Sequence, residues 1–437
     1  MLIRRSLSAI AITRLKSPAG IREITSGASH FFGFHDLTPW NARSDELVCL
    51  RTTVMEDHVP THHDEAEVVV VNEADGTVTP VDRTRAWNWQ KGARQRWLPG
   101  LGRRVIAYNA ENATGFECRI VALDAGTTRA LPLPLYDICD QAGFGLTLNF
   151  SRLKVRSPSY GYDHPTTKCE AQSTAHDYDR DGIFRVEIAT GESQLILRMA
   201  DFLHALRLDP AFSGHYFTHI QISPDGRRFV FMHRCFLPSG GLVNHFVVAN
   251  CDGSGFRVLL DDKMSHFDWK DDDHVIVWCR KNTAIKRLKE SKLLALARMF
   301  YRLSRKIRLS ALRQGLYNEC FREIDVNTGE AVAVGKGVLT EDGHPQVNPL
   351  NPEIWINDTY PNPEHIQTLM LYHQPMNRRY DLVRLATQPS IQETGWRCDF
   401  HPRWHPAGKR VCFDSAHLGR RQLCVMDVPS EFQEVGV

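Results

Sequence analysis

The sequence lacks a long apolar run: no stretch approaches the roughly 20 residues that cross a bilayer as a helix. The stretch before Arg14 is also shorter than the apolar part of a secretory signal, about 7–15 residues. Its 11 cysteines show no CxxC spacing, which argues against metal sites built on such pairs. Cys49, Cys412 and Cys424 lie in apolar, strand-like runs instead. These absences predict a non-membrane-spanning, cytoplasmic protein with reduced thiols.

What the sequence does contain is a repeat of short β-rich runs separated by turns rich in Asp, Gly, Asn and Pro. Candidate second strands of the repeat are Glu46–Thr52, Arg104–Tyr108, Arg228–His233, His274–Cys279, Glu353–Asn357 and Arg410–Asp414. Hairpin-like pairs follow them, such as VVVVNEADGTVTPV and FVVANCDGSGFRVLL. The repeat predicts an all-β fold, a seven-bladed β-propeller formed by residues 1–437 as one domain.

A further segment precedes each second strand and collects histidines and polar aromatics. We expect these segments to be the innermost strands, which line the central channel of a propeller. They span 30–36, 87–97, 143–150, 218–224, 265–269, 343–349 and 397–406. Because an unpaired sheet edge is unfavourable, we expect residues 21–25 to pair with the C-terminal unit and close the ring.

Two insertions interrupt the repeat. Residues 157–181 form a polar loop within blade three, and residues 281–317 read as a basic helical insertion in blade five. From Arg280 to Arg313 there are 12 Lys/Arg and one acid, a local charge of +11, which leaves 2 − 11 = −9 for the rest. The amphipathic stretch 284–314 could lie on an anionic membrane surface, peripheral to the inner membrane, or cap its blade in water. No aromatic-basic motif accompanies it, so nucleic acid is not an expected partner.

Histidines concentrate on the predicted inner strands of blades four to seven. Imidazoles converging from neighbouring blades could bind a divalent metal, whereas a single one would more often hydrogen-bond within a crowded channel. The polar side chains in question are His219, His266, His344, His401 and His405, with Gln221, Asp268, Gln346 and Asp399.

A second group of polar residues lies in the blade-three segment LNFSRLKVRSPSYGYDHP. Arg152 and Arg156 could pair with a uronate carboxylate, and Tyr160, Tyr162 or His164 could exchange a proton beside it. Those are the requirements of β-elimination. A loop packed only for its shape is the alternative.

An ordered set of motifs resembles the propeller-type polysaccharide lyases that include ulvan lyases, and more distantly the oligogalacturonate lyases. The motifs are HFFGFHDLTPWN, WNWQKG, LNFSRL with SPSYGY, NPEIWINDTYP and WRCDFHPRWHPAGKRVCFDSAHLGRRQ. They cover nearly the whole chain outside 281–317.

The resemblance implies cleavage of an acidic glycan by β-elimination, with a divalent metal (Zn, Mn or Ca) in the channel. It implies Tyr160 or Tyr162 as the acid/base tyrosine and Arg156 as the group that neutralises the carboxylate. The metal ligands would be His266, His344, His401 and Gln346. Candidate substrate-binding residues are Arg152, Trp89, Gln90 and Arg403.

The sequence departs from the family pattern at the expected catalytic base. Ala110 stands where a polar residue or histidine is expected, so His35, His219 or His233 would have to replace it. Two other functions remain open. A glycoside hydrolase would use a pair of carboxylates drawn from Asp36, Asp268 and Asp399. A non-catalytic glycan-binding or scaffold propeller could instead serve bacterial surface-polysaccharide (exopolysaccharide) production.

Overall fold

The computed structural model describes residues 20–166, 175–280, 318–388 and 395–429. Across these residues the strands form seven four-stranded antiparallel sheets, each an uninterrupted ladder from its first strand to its fourth. The sheets surround one axis, and the fold is the predicted seven-bladed β-propeller. No helix in the described ranges is long and apolar enough to cross a membrane.

The strands are numbered in chain order. Blade 1 contains β2 (Ser29–Phe31), β3 (Glu46–Thr52), β4 (Ala66–Asn72) and β5 (Val78–Thr84). Blade 2 contains β6 (Arg96–Trp97), β7 (Val105–Glu111), β8 (Phe116–Ala122) and β9 (Thr127–Leu131). Blade 3 contains β10 (Asp137–Cys139), β11 (Phe144–Thr147), β12 (Gly182–Glu187) and β13 (Ser193–Arg198). Blade 4 contains β14 (Ser213–Ile222), β15 (Arg228–Phe236), β16 (Leu242–Asn250) and β17 (Arg257–Leu260).

The remaining blades follow the same order. Blade 5 contains β18 (Met264–Trp269), β19 (His274–Arg280), β20 (Glu319–Asp325) and β21 (Ala331–Val334). Blade 6 contains β22 (Gln346–Val347), β23 (Ile354–Asp358), β24 (Ile366–His373) and β25 (Arg378–Ala386). Blade 7 contains β26 (Arg403–Trp404), β27 (Arg410–Ser415), β28 (Gln422–Asp427) and, from the other end of the chain, β1 (Ile21–Glu23).

The middle strands of each blade are buried on both faces because every sheet packs between two others. In β4 the run Val68–Val71 has at most 2 % exposure, so valines that alternate across the strand are covered on either side. The fourth strands are largely exposed, as β9 and β25 show. Apolar burial is therefore greatest between blades, where it holds the inner strands in place.

Among the residues that the structure describes, the helices lie in the connections that follow strands of blade 3. Helix α1 (Phe150–Arg156) begins at Asn149, whose side chain accepts a hydrogen bond from the Arg152 backbone N–H. Helix α2 (Met199–Leu206) ends at Arg207 in a left-handed conformation, with φ of 49°. The insertion predicted at 157–181 follows α1. The helical insertion predicted at 281–317 lies outside the described residues and stays a prediction.

The inner strand of blade 3 differs from the prediction. Residues 143–150 were expected to line the channel, but Phe144–Thr147 is the second strand and Asp137–Cys139 is the first. A tight turn at 140–143, with Gly143 at φ of 71°, joins them. The first four residues of the apolar FGLTLNF run therefore form a buried second strand, and the run ends at Phe150, the first residue of α1.

The ring closes at a seam between blades 7 and 1. As predicted, the N-terminal strand pairs with the C-terminal unit: Ile21 lies opposite Met426 and Glu23 opposite Cys424. Inside the seam, Arg403 Nη2 donates to Asp414 Oδ1 at 2.6 Å and Arg403 Nη1 to the Gly33 carbonyl at 2.9 Å. The Asp414 carboxylate also accepts hydrogen bonds from the backbone N–H groups of Phe32 and Gly33. One buried ion pair thus ties blade 7 to the chain entering the channel.

We predict that Arg403→Met lowers the free energy of unfolding by about 3–5 kcal/mol, because it leaves the Asp414 carboxylate buried without its cation. The double variant Arg403→Met/Asp414→Asn should lose less, since the amide keeps an acceptor for Phe32 and Gly33 but no charge. Guanidinium unfolding measures both. A single variant as stable as the parent would contradict this assignment.

Candidate site in the central channel

Five histidine rings surround the side chain of Phe34 on the propeller axis. Their ring centroids lie 4.4–6.2 Å from that of Phe34. They belong to His35, His219, His266, His344 and His401. The structure therefore brings together five predicted site residues that come from blades 1, 4, 5, 6 and 7.

Asp358, at the end of β23, organises two of these histidines. It is fully buried, and its Oδ1 accepts hydrogen bonds from the His344 backbone N–H at 2.9 Å and from His344 Nδ1 at 2.7 Å. Its Oδ2 accepts from the His401 backbone N–H at 3.2 Å. His401 and His219 both have left-handed backbones, with φ of 43° and 56°. Histidine is among the few residue types enriched in that conformation, and here it aims imidazoles at the axis.

Burial controls the charge of this cluster. Burial and the neighbouring imidazoles of His344 and His35 lower the pKa of His401 well below its ordinary value of 6.5. Burial and Lys91 do the same to the pKa of His219. At His344 burial favours the neutral form, but Asp358 outweighs it and raises the pKa. Neutral imidazoles can accept a proton or bind a metal ion.

Three side chains in the channel fit a divalent metal ion. His344, Asp399 and His401 each place one candidate ligand atom within 4.8 Å of the other two. His401 Nε2 is buried and has no hydrogen-bond partner among the described residues. His344 Nδ1 is occupied by Asp358, an orientation typical of ligating imidazoles whose other nitrogen faces the metal. The His266 ring lies 4.2 Å from that of His344 and is close enough to contribute.

Gln346, the fourth predicted ligand, is occupied elsewhere. Its amide N–H donates to the His35 carbonyl at 2.7 Å, and its amide oxygen accepts from the Trp404 backbone N–H. It therefore links blade 6 to blades 1 and 7. Asp399, which the sequence marked as a polar neighbour and as a possible hydrolase carboxylate, would supply the oxygen ligand of the cluster. Arg397 binds it through two hydrogen bonds of 2.5 and 2.9 Å.

The two candidate tyrosines occupy different environments. Tyr160 is partly exposed, and its ring meets that of His219 edge-on at 5.1 Å. Tyr162 is fully buried, stacks on Phe150 at 4.4 Å and accepts a hydrogen bond from Asn109. Burial raises the pKa of both phenols. Only Tyr160 lies beside the histidine cluster.

Two cations complete this end of the channel, and sequence reasoning missed both. Lys91 is buried, with Nζ 3.3 Å from the centroid of Phe34 and no hydrogen-bond partner within the described ranges. Arg234, on β15, is partly exposed, and its charge acts on Tyr160, His219 and Lys91. Lys91 follows Gln90 in the WNWQKG motif, and Arg234 follows His233. In each case the neighbouring residue had been chosen instead.

Three of the predicted substrate-binding residues are buried supports. Trp89 is 1 % exposed and donates its indole N–H to the His58 carbonyl at 2.9 Å. Gln90 donates to the Arg397 carbonyl at 2.9 Å. Arg403 has no exposed surface and forms the seam ion pair.

Arg152, Arg156 and His233 lie away from the histidine ring. Arg152 pairs with Asp181, and both arginines line a cavity of about 190 Å³ beside α1. His233 lies on β15, where its imidazole contacts those of His215 and His245. The structure thus separates these three predicted catalytic or binding residues from the channel cluster.

Comparison with known proteins identifies the fold. No protein-family model matches the chain, and no curated protein matches its sequence. Among solved structures, an oligogalacturonate lyase from Vibrio parahaemolyticus shares 11% identity, with 94% of each chain covered and a TM-score of 0.60. An oligogalacturonate lyase in complex with manganese shares 12% identity, with 95% of this chain and 94% of that chain covered and a TM-score of 0.61. At these identities the likeness shows a shared propeller architecture.

We predict that His344→Ala/His401→Ala removes the Mn²⁺ content of the purified protein, measured by elemental analysis after equilibration with Mn²⁺. The variant loses two ligands that Asp358 holds in place. His274→Ala, which changes a histidine at the outer end of β19, is the control and should keep the parent's Mn²⁺ content. Equal Mn²⁺ in the parent and the double variant would exclude this site.

Proposed function

We propose that the protein cleaves a uronate-containing oligosaccharide or polysaccharide by β-elimination in the central channel. The observation that carries the proposal is the pairing of a neutral imidazole, His219, with a phenol, Tyr160, beside two cations. The fold shared with oligogalacturonate lyases supports the same substrate class.

The reaction needs a protein base and a protein acid that both reach the same sugar ring. The base takes the proton from the carbon next to the carboxylate, a C=C bond forms, and the glycosidic oxygen leaves with a proton from the acid. His219 suits the base because burial keeps its imidazole neutral, and the Thr218 hydroxyl, 2.8 Å from Nδ1, fixes the ring. Tyr160 suits the acid because its raised pKa keeps the phenol protonated.

The substrate's carboxylate must be neutralised for its neighbouring C–H bond to become acidic. Arg234 supplies positive charge beside His219 and Tyr160, the role that the sequence had given to Arg156. Lys91 is the weaker of the two basic groups, because burial lowers the pKa of its amine well below the ordinary value. Arg397 is less suited, because Asp399 already binds its guanidinium group. A divalent metal at His266, His344, His401 and Asp399 would, when bound, add charge that stabilises the carboxylate's developing negative charge.

A hydrolase mechanism is less consistent with the contacts that the three candidate carboxylates make. Asp36 is paired with Arg94 at 2.9 Å, and Asp399 is paired with Arg397. Asp268, whose pKa burial raises to about 7, accepts hydrogen bonds from Gln221 and the Val347 N–H. Incubation with a panel of uronate oligosaccharides separates the functions: a lyase yields an ultraviolet-absorbing unsaturated product, a hydrolase a saturated one, and a binding propeller none. Cleavage without unsaturation would refute the proposal.

We predict that Tyr160→Phe lowers kcat for unsaturated-product formation by about 10²–10⁴-fold, because it removes the proton donor. Tyr162→Phe is the matched control: it removes a hydroxyl that contacts Asn109 outside the channel, and kcat should stay near the parent value. Equal rates for the two variants would remove Tyr160 from the acid role.

The pH profile of kcat/KM should report His219. Burial and Lys91 depress its pKa, so the base form persists below the ordinary pKa of 6.5 and activity falls only at lower pH. In Lys91→Met the neighbouring cation is gone, the pKa of His219 rises, and the acidic limb should move to higher pH. A limb at or above pH 6.5 in the parent, or one that Lys91→Met leaves in place, would contradict His219 as the base.

A further inference from the structure

A second group of metal-binding residues lies within blade 4, apart from the channel cluster. It contains three histidines and a cysteine, all of them buried. They are His215 on β14, His233 and Cys235 on β15, and His245 on β16. These three strands have 10, 9 and 9 residues, longer than the corresponding strands of the other blades, and the group lies where they extend toward Phe236 and Leu242.

The strand geometry explains why the four side chains meet. His233 and Cys235 are two residues apart on β15 and share a face of the sheet. His245 lies directly opposite His233 in the ladder. A register irregularity in β14 between Ser213 and Tyr216 brings His215 onto the same face.

Hydrogen bonds fix which ring nitrogen of His215 is free. Its Nε2 lies 3.2 Å from the Phe212 carbonyl, which only accepts hydrogen bonds, so Nε2 carries the proton. In the neutral imidazole, Nδ1 then carries a lone pair. That lone pair faces His233 Nε2 at 3.1 Å.

His233 is held in a matching way. Its Nδ1 lies 3.0 Å from His245 Nδ1. When His233 Nδ1 donates that hydrogen bond, His233 Nε2 carries a lone pair. This lone pair is directed at the one on His215 Nδ1. Metal-ligating histidines are usually oriented by a hydrogen bond that their other ring nitrogen donates. Here the Phe212 carbonyl accepts that bond from His215, and His245 accepts it from His233.

Cys235 supplies a third donor. Its Sγ, His215 Nδ1 and His233 Nε2 all lie within 4.8 Å of one another. The thiol is buried and in no disulfide. Two imidazole nitrogens and one sulfur form the donor set that favours Zn²⁺ over Mn²⁺ or Ca²⁺, which prefer oxygen.

We propose that His215, His233 and Cys235 bind a transition-metal ion of Zn²⁺ type, at a site distinct from the channel. The ion joins β14 to β15, the strands that carry His219 and Arg234 to the channel. Binding releases the thiol proton of Cys235, and the thiolate and the two lone pairs become ligands. The site stands on blade 4 alone and does not depend on the proposed lyase activity.

Cobalt is the appropriate probe because a thiolate ligand gives Co²⁺ a near-ultraviolet charge-transfer band that nitrogen and oxygen ligands do not. We predict that metal-stripped His344→Ala/His401→Ala protein, which lacks the channel ligands, binds one equivalent of Co²⁺ with this band. Adding Zn²⁺ should remove the band. If His215 and His233 share only a proton and bind no metal ion, no band develops, and the proposal fails.

Further substitutions assign the band to this site. Cys235→Ser should abolish it, and Cys251→Ser, at another buried cysteine of blade 4, should leave it unchanged. His215→Asn, on a different strand, should also abolish it and gives the same test where Cys235→Ser does not fold. His245→Phe, which removes only the orienting partner, should keep the band and weaken Co²⁺ binding by about 10–100-fold. A band that persists in Cys235→Ser or His215→Asn would refute the assignment.

Discussion

Closure of the ring is the constraint on which the channel depends. Several of the inner strands that line the axis are short: β6, β22 and β26 each have only two residues. Such short strands cannot hold a side chain by their own ladder, so neighbouring blades must hold them. The Arg403–Asp414 pair illustrates this: it anchors the backbone of Phe32 and Gly33 beside Phe34, around which five imidazoles collect. A blade-to-blade contact therefore determines the geometry of the site.

The electrostatics of the channel follow from that enclosure. Lys91, Arg234 and the imidazoles crowd one end, and mutual repulsion with loss of hydration drives His35, His219 and His401 to the neutral form. Asp358 and Asp342 accept hydrogen bonds from His344, His401 and His266 on the side of blades 5 to 7, and Asp399 is paired there with Arg397. Asp36 offsets part of the charge of Arg94 and Lys91. The proposed anionic substrate fits beside Arg234 and Tyr160, and the proposed metal ion fits among the carboxylates.

The sequence predicted the blades because strand periodicity and turn residues are local signals. It also predicted the closing strand and the meeting of His219, His266, His344 and His401, since each precedes or occupies an inner strand. His405, predicted in the same group, instead contacts Trp40 and Arg410. It failed where the side chain that faces the axis depends on packing. Gln90 and His233 were predicted, but not their neighbours Lys91 and Arg234, and Tyr160 and Tyr162 stayed alternatives. His233 and Arg234 are consecutive on β15 and point to opposite faces, whereas Lys91, Tyr160 and Tyr162 lie in turns and loops, where no periodicity shows which side chain meets the axis.

The two histidine clusters show that residue type alone does not determine chemistry. In the channel, imidazoles from different blades meet carboxylates and a partly open rim, a setting suited to exchangeable ligands. In blade 4, imidazoles on adjacent strands of a single sheet meet a thiol among phenylalanines such as Phe202 and Phe217. Donors from one sheet have fixed spacing, so that cluster suits an ion held for rigidity. His215 and His219 lie four residues apart on β14, so one strand contributes to both kinds of chemistry.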